Sequence, residues 1–260
     1  MGIKQFGFRT ATSRVIVFLW IVSHCLTSVA SEVILTSENL NSALKQIQRL
    51  QQGLENAHDA KKAENHYQIG LLAMELASVL SEEVALYDSQ QGGLIQLGLD
   101  RSRELGVNID WFAEKKRFFY DGKDFVDCLQ LAPEGSNAGE CAYLVLDTEF
   151  IHAVIDDAVA LNQSAQKKID YLKQYPEHAH AAEVGILLAI DYRDLWRLYR
   201  AGSDTSNETK YRDLTRKQFL WVTENHAKAK QAKIADGLLK RFETEIQEPA
   251  VSTEQPPASE

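Results

Sequence analysis

The pattern Glu-x-x-His occurs three times in this chain, as Glu55/His58, Glu149/His152 and Glu177/His180. Helical di-iron proteins hold their metals with two such pairs and two further glutamates, all pointing into a bundle. The helical register here works against that use. Over Ala138 to Leu161 the apolar face is built by Leu144, Ile151, Val154, Ile155 and Ala158. At 3.6 residues per turn, Glu149, His152 and Asp156 then project from the opposite, solvated side. Glu177 and His180 follow a proline, in a turn. His178 and His180 form a looser His-x-His pair, of a kind that takes a transition metal without fold-level design. The expectation is nevertheless no metal, no cofactor and no catalytic residue.

Two acids stand where a leucine fits better. Asp147 lies in the stripe of Leu144, Ile151 and Val154, and Asp191 in that of Val184, Leu188, Leu195 and Leu198. A buried carboxylate needs a cation or several donors, or it takes up a proton. Asp147 and Asp191 are therefore the candidate buried polar positions. One reading makes them ligand-facing groups in a groove. The other, preferred here, pairs them with an arginine such as Arg193, Arg197 or Arg200. Nucleophile and cofactor signatures are missing: there is no Gly-x-Ser-x-Gly, phosphate-cradling glycine loop, Cys-x-x-Cys-His or His-Glu-x-x-His. The aromatics Trp111, Phe112, Phe118, Phe119 and Tyr120, and later Trp196 and Tyr199, read as core.

The elements that must position these residues read as helices almost throughout. Leu40, Leu44, Ile47, Gln51 and Leu54 fall at helical spacing behind Ser37 as N-cap. A second helix spans about Ala60 to Leu80, and Ser81 before Glu82 and Glu83 reads as the cap of the next. Gly92-Gly93 breaks the chain, Leu94 to Leu105 forms another helix ending at Gly106, and Asp110 opens an aromatic-rich helix. No apolar–polar alternation is long enough to argue for a sheet. Lys210 to Gln247 reads as one long C-terminal helix. The tail 248–260, with Pro249, Pro256 and Pro257, is expected to be disordered.

The body also echoes itself. Residues 127–147 align without gaps to 170–190, matching Asp127/Asp170, Leu129/Leu172, Pro133/Pro176, Glu134/Glu177, Ala138/Ala181, Glu140/Glu183 and Leu144/Leu187. Pro133 and Pro176 are the only prolines between residue 30 and the tail, and a proline cannot continue a helix. The unit reads as helix, Pro-Glu turn, helix, used twice, as in solenoid arrays. The stretch Tyr171-Leu172-Lys173-Gln174-Tyr175-Pro176-Glu177, followed by Ala181 and Leu187-Leu188-Ala189, resembles the inter-repeat turns of tetratricopeptide-like proteins of the exported outer-membrane assembly type. Ile69-Gly70 resembles the first helix of such a repeat. The resemblance implies stacked helical hairpins with a concave surface that binds peptides or proteins.

The first residues supply an address. Lys4, Arg9 and Arg14 precede an apolar run from Val15 to Leu26, and Ser28-Val29-Ala30 forms a small-x-small cleavage site. Residues 1–30 are expected to be a signal peptide, 31–247 an all-helical repeat-like domain, and the site of action the periplasm or the outside. The run is too short and interrupted for a comfortable membrane span. Removing those three bases takes the net charge from −9 to −12. With no long basic stretch, nucleic acid is an unsuitable partner. Cys25 leaves with the leader, so Cys128 and Cys141 remain and are expected to form a disulfide in an oxidising space. Closing so short a loop stabilises by about 3 kcal/mol. The expectation is an all-α exported module binding a protein or peptide partner in the cell envelope. The competing expectation is a compact helical bundle that binds a small ligand or a metal.

Overall fold

The structure, a computed structural model, describes residues 35–87, 92–152 and 157–248. The leader expected at 1–30 and the tail 249–260 lie outside the described residues. Nine helices and one two-stranded hairpin make up the described chain, so the class is all-α. None of these helices is long and apolar enough to cross a membrane.

Helix α1 (Ser37–Gln52) buries Leu40, Leu44 and Ile47. Its N-cap is Thr36, one residue before the expected Ser37, and the Thr36 hydroxyl accepts from the Asn39 N–H at 3.1 Å. Helix α2 (Asp59–Tyr87) runs unbroken through Ser81. That serine is not a cap: its hydroxyl donates to the Ala77 carbonyl at 2.6 Å and accepts from the Phe118 N–H at 2.8 Å. Helix α3 (Gly93–Glu104) is capped by Leu105, and the chain turns away at Gly106, whose positive φ of 67° suits a residue without a Cβ.

The aromatic-rich segment after Asp110 is a β-hairpin and not a helix. Strands β1 (Ile109–Phe112) and β2 (Arg117–Tyr120) pair antiparallel, with Trp111 opposite Phe118. Their rings meet edge to face at 5.0 Å, and Phe112 and Phe119 at 5.8 Å. Aromatic residues fit the pleated surface and stabilise it through such cross-strand pairs. The pattern is too short for periodicity to announce it. Once formed, β2 packs on α2, where the Ser81 hydroxyl takes up the Phe118 N–H.

Helices α4 (Lys123–Leu131), α5 (Ala138–His152), α6 (Ala158–Gln174), α7 (Ala181–Ala201), α8 (Thr205–Asn225) and α9 (Lys230–Gln247) complete the chain. Two expectations change here. The helix from Ala138 does not reach Leu161: Asp157 caps a new one, its carboxylate accepting from the Ala160 N–H at 2.8 Å. The long helix expected over Lys210 to Gln247 is two helices, broken at His226.

The break at His226 has the same hydrogen-bond ladder as the two proline turns. In the first turn the N–H groups of Ala132, Gly135 and Ala138 donate to the carbonyls of Cys128, Ala132 and Gly135. Tyr175, His178 and Ala181 repeat this onto Tyr171, Tyr175 and His178, 43 residues on. His226, Ala229 and Ala232 repeat it again onto Val222, His226 and Ala229, a further 51 residues on. Three hairpins follow: α4–α5, α6–α7 and α8–α9. Ala138, Ala181 and Ala232 hold the same place in each, and all three are buried. Neighbours in sequence are neighbours in space, and α7 packs on α6, α8 and α9. Close approach depends on glycine at two crossings. A Cβ on Gly70 of α2 would lie 2.4 Å from the ring of Phe125, and one on Gly185 of α7 would lie 2.7 Å from Val222.

Candidate functional site

Stacking the second hairpin on the first brings a polar cluster together. The Tyr175 hydroxyl donates to the Pro133 carbonyl at 3.4 Å, and His178 lies over Gly139, where a Cβ would come within 2.6 Å of its ring. These contacts carry His178 and His180 to α5. There the Glu140 carboxylate is 3.3 Å from His180 Nε2 and 3.7 Å from His178 Nε2. His180 Nδ1 lies 3.5 Å from Glu183, and the ring stacks on Tyr143 with centroids 3.7 Å apart. His178 Nδ1 pairs with the Tyr171 hydroxyl at 2.8 Å. Glu140 and Glu183 occupy equivalent places in hairpins one and two, so His180 bridges a repeated acid. Burial disfavours its charged form, but the hydrogen bonds to Glu140 and Glu183 outweigh that and raise His180 to about 9. The same bond to His180 holds Glu140 below the usual carboxylate range. Burial pushes His178 down.

Asp147 and Asp191 behave differently, and they share no partner. Asp191 is buried with its carboxylate 2.7 Å from Lys168 Nζ, and it accepts the Ser164 hydroxyl at 3.0 Å. Its partner is thus a lysine of α6, not Arg193, Arg197 or Arg200 of its own helix. Burial raises its pKa, and the Lys168 ammonium opposes the rise. Asp147 is half-buried and has no hydrogen bond or ion pair among the described residues. Burial, reinforced by Glu183, raises it to about 6 despite Arg117 and His180. The guanidinium of Arg117 lies over the Phe119 ring at 4.7 Å, and its Nε is buried without a hydrogen-bond partner among the described residues.

The sulfurs of Cys128 and Cys141 lie 2.14 Å apart, at disulfide distance, with their Cα atoms 6.5 Å apart. They join α4 to α5 across the Pro133 turn. Of the Glu-x-x-His pairs, Glu177/His180 sits in a turn, as expected, but His180 pairs with Glu140 and Glu183. The side chains of Glu149 and His152 lie outside the described residues.

A second cluster escaped the sequence. His66 on α2 places Nδ1 2.7 Å from Asp124 Oδ1 and 3.9 Å from Asp127 Oδ2, both on α4. The other Asp124 oxygen accepts the buried Tyr120 hydroxyl at 2.5 Å. Lys123 Nζ pairs with Asp127 at 2.9 Å. Among the described residues this is the His/Cys/Asp/Glu group whose donor atoms lie close enough together to hold a metal. The spacing Asp124-x-x-Asp127 was its only local sign, because His66 is 58 residues from Asp124.

No protein-family model matches the chain, and no curated protein resembles it closely enough to count as a relative.

Proposed function

We propose that this protein is an exported interaction module that binds a peptide or protein partner in the cell envelope on a surface of stacked helical hairpins. The observation that carries the reading is the hydrogen-bond ladder used three times, at Ala132, Tyr175 and His226. Hairpins stacked in chain order are the construction of tetratricopeptide-like and other solenoid proteins, whose surfaces bind other chains. Export is supported by the leader-like residues 1–30 and by two cysteines at disulfide distance. The α8 face of Asp213, Arg216, Lys217, Leu220, Trp221 and Glu224 has the make-up of a binding strip, an apolar centre with a charged rim. Leu220 is exposed there.

The test is a pull-down with the mature protein from its own envelope fraction, run beside Leu220→Glu. A partner retained by the parent and lost by the variant, with helicity unchanged, supports the reading. Retention of nothing, or of the same proteins by parent and heat-denatured bait, overturns it.

A further inference from the structure

We propose that His66, Asp124 and Asp127 form a binding site for a divalent transition metal of the zinc class, separate from any partner-binding surface. The chemistry of the set is the first ground. One imidazole nitrogen and two carboxylates suit Zn²⁺ or Co²⁺, whereas the hard ions Ca²⁺ and Mg²⁺ prefer oxygen alone. With metal–ligand bonds of about 2.1 Å, adjacent donors of a tetrahedral or octahedral ion lie about 3.0–3.4 Å apart. The His66 Nδ1 distances of 2.7 Å to Asp124 and 3.9 Å to Asp127 bracket that range. An ion entering the trio opens the first contact and closes the second by roughly half an ångström each, within the reach of side-chain rotation.

The surroundings are the second ground. Metal-binding side chains are usually aimed by a further layer of hydrogen bonds. Here the buried Tyr120 hydroxyl donates to Asp124 Oδ2, and the Asp124 N–H donates back to that hydroxyl at 2.7 Å. Asp124 is thereby fixed with Oδ1 turned toward His66. Asp124 and Asp127 are one helical turn apart on α4, and His66 faces them from α2, which packs on α4. The site is therefore held by two rigid elements, of which α4 is tied to α5 by the neighbouring Cys128–Cys141 pair. It also has an opening: the Asp127 side chain is 27% exposed.

One group competes with the ion. Lys123 Nζ lies on Asp127, and its side chain is 61% exposed, so it swings away into water at little cost. A metal and this ammonium are alternatives at the same carboxylate. That competition separates a metal site from a mere hydrogen-bond cluster, because it predicts that removing a charged residue tightens binding.

The experiment titrates ZnCl₂ into the full chain, prepared without a histidine tag, and follows heat and, with CoCl₂, visible absorbance. The expected result is a single saturable equivalent whose affinity falls about tenfold or more in His66→Gln and in Asp127→Asn. Lys123→Ala should bind several-fold more tightly, His178→Gln should bind as the parent does, and CaCl₂ should give no heat. Zn²⁺ should also raise Tm by mass action. No saturable binding, or binding that His178→Gln abolishes while Asp127→Asn leaves it intact, overturns the proposal. If His66→Gln fails to fold, the opposite responses of Asp127→Asn and Lys123→Ala still decide it, since both positions reach solvent.

Discussion

The first and second hairpins share a turn but not a clamp. Where the first has Cys128 and Cys141 at bonding distance, the second has Tyr171 and Val184, and the third has Val222 and Ala235. All six residues are buried. One layer on, the first hairpin has Phe125 and Thr148, the second has the ion pair Lys168–Asp191, and the third has Phe219 and Phe242. The backbone repeats while the chemistry across the hairpin is covalent in one case, ionic in the next and apolar in the last. A fold of this kind constrains which positions are buried and how closely the helices approach. It leaves open how each pair satisfies that burial.

The largest expected effect breaks the ionic clamp. Asp191→Ala leaves the Lys168 ammonium buried without its carboxylate, which typically costs about 3–5 kcal/mol. Urea denaturation measures it. Importing the apolar solution of the third hairpin, as Lys168→Met with Asp191→Leu, should recover most of that loss, because a buried ion pair is often no more stable than well-packed apolar residues. If the double variant is as unstable as the single one, the two hairpins are not equivalent in energy, whatever their turns look like.

The covalent clamp comes next. Cys128 and Cys141 are 13 residues apart, so bridging them stabilises by about 3 kcal/mol through the unfolded chain. The double change Cys128→Val with Cys141→Ala installs the third hairpin's pair in the first. It should lose that amount and become indifferent to reductant, whereas the parent loses a similar amount when dithiothreitol is added. Equal stability of the parent with and without reductant would remove the bridge from the account.

The same comparison explains what the sequence disclosed. The two turns that carry Pro133 and Pro176 were legible because proline stops a helix, and their offset of 43 residues was readable from identities. The third turn was not, because Ala227, Lys228 and Ala229 stand there and are good helix formers. Its equivalence to the other two shows only in the structure, where Ala232 is buried in the place of Ala138 and Ala181. The hairpin of β1 and β2 is not legible as strands because four-residue stretches of aromatics lack the length that separates period 2 from period 3.6. Asp147 and Asp191 stand out in the sequence as acids in apolar stripes, but the lysine that pairs with Asp191 sits on another helix, where no local pattern points. The His66 trio was out of reach for the same reason.

A smaller effect separates the two acids. Asp191 is ion-paired with Lys168, whereas Asp147 has no ion pair among the described residues and the more distant attraction of Arg117 and His180 does not offset its burial, so ionised Asp147 is a cost to the fold. Its pKa is raised to about 6. The folded state then holds its proton more firmly than the unfolded state, so this contribution to stability falls as pH rises from about 4 to 6. Asp147→Asn removes the charge and should stabilise by about 1–2 kcal/mol at pH 7, with the gain vanishing near pH 4. Chemical denaturation at the two pH values decides the sign. A loss of stability at pH 7 would mean that the carboxylate is held by a partner after all.

The smallest effect concerns the joint between the hairpins and runs the opposite way with pH. His180 is raised to about 9 by Glu140 and Glu183, above the ordinary imidazole value of about 6.5. A base raised on folding stabilises fully below its unfolded pKa, and the contribution is lost as pH climbs through the folded value. The window is therefore about pH 6.5 to 9. The His180 side chain is 26% exposed, so solvent screens the pair and the net contribution is about 1 kcal/mol at pH 6. The gap in stability between the parent and His180→Gln should be widest near pH 6, narrow through pH 8 and close by pH 10. Because Glu140 belongs to the first hairpin and Glu183 to the second, Glu140→Gln should remove the part of this pH dependence that depends on stacking. Asp147 loses stability for the fold in acid to neutral solution and His180 in alkaline solution, so a single pH series on the two variants separates them. A gap that stays constant from pH 6 to pH 10 would mean that His180 holds the hairpins together by ring stacking on Tyr143 and not by charge.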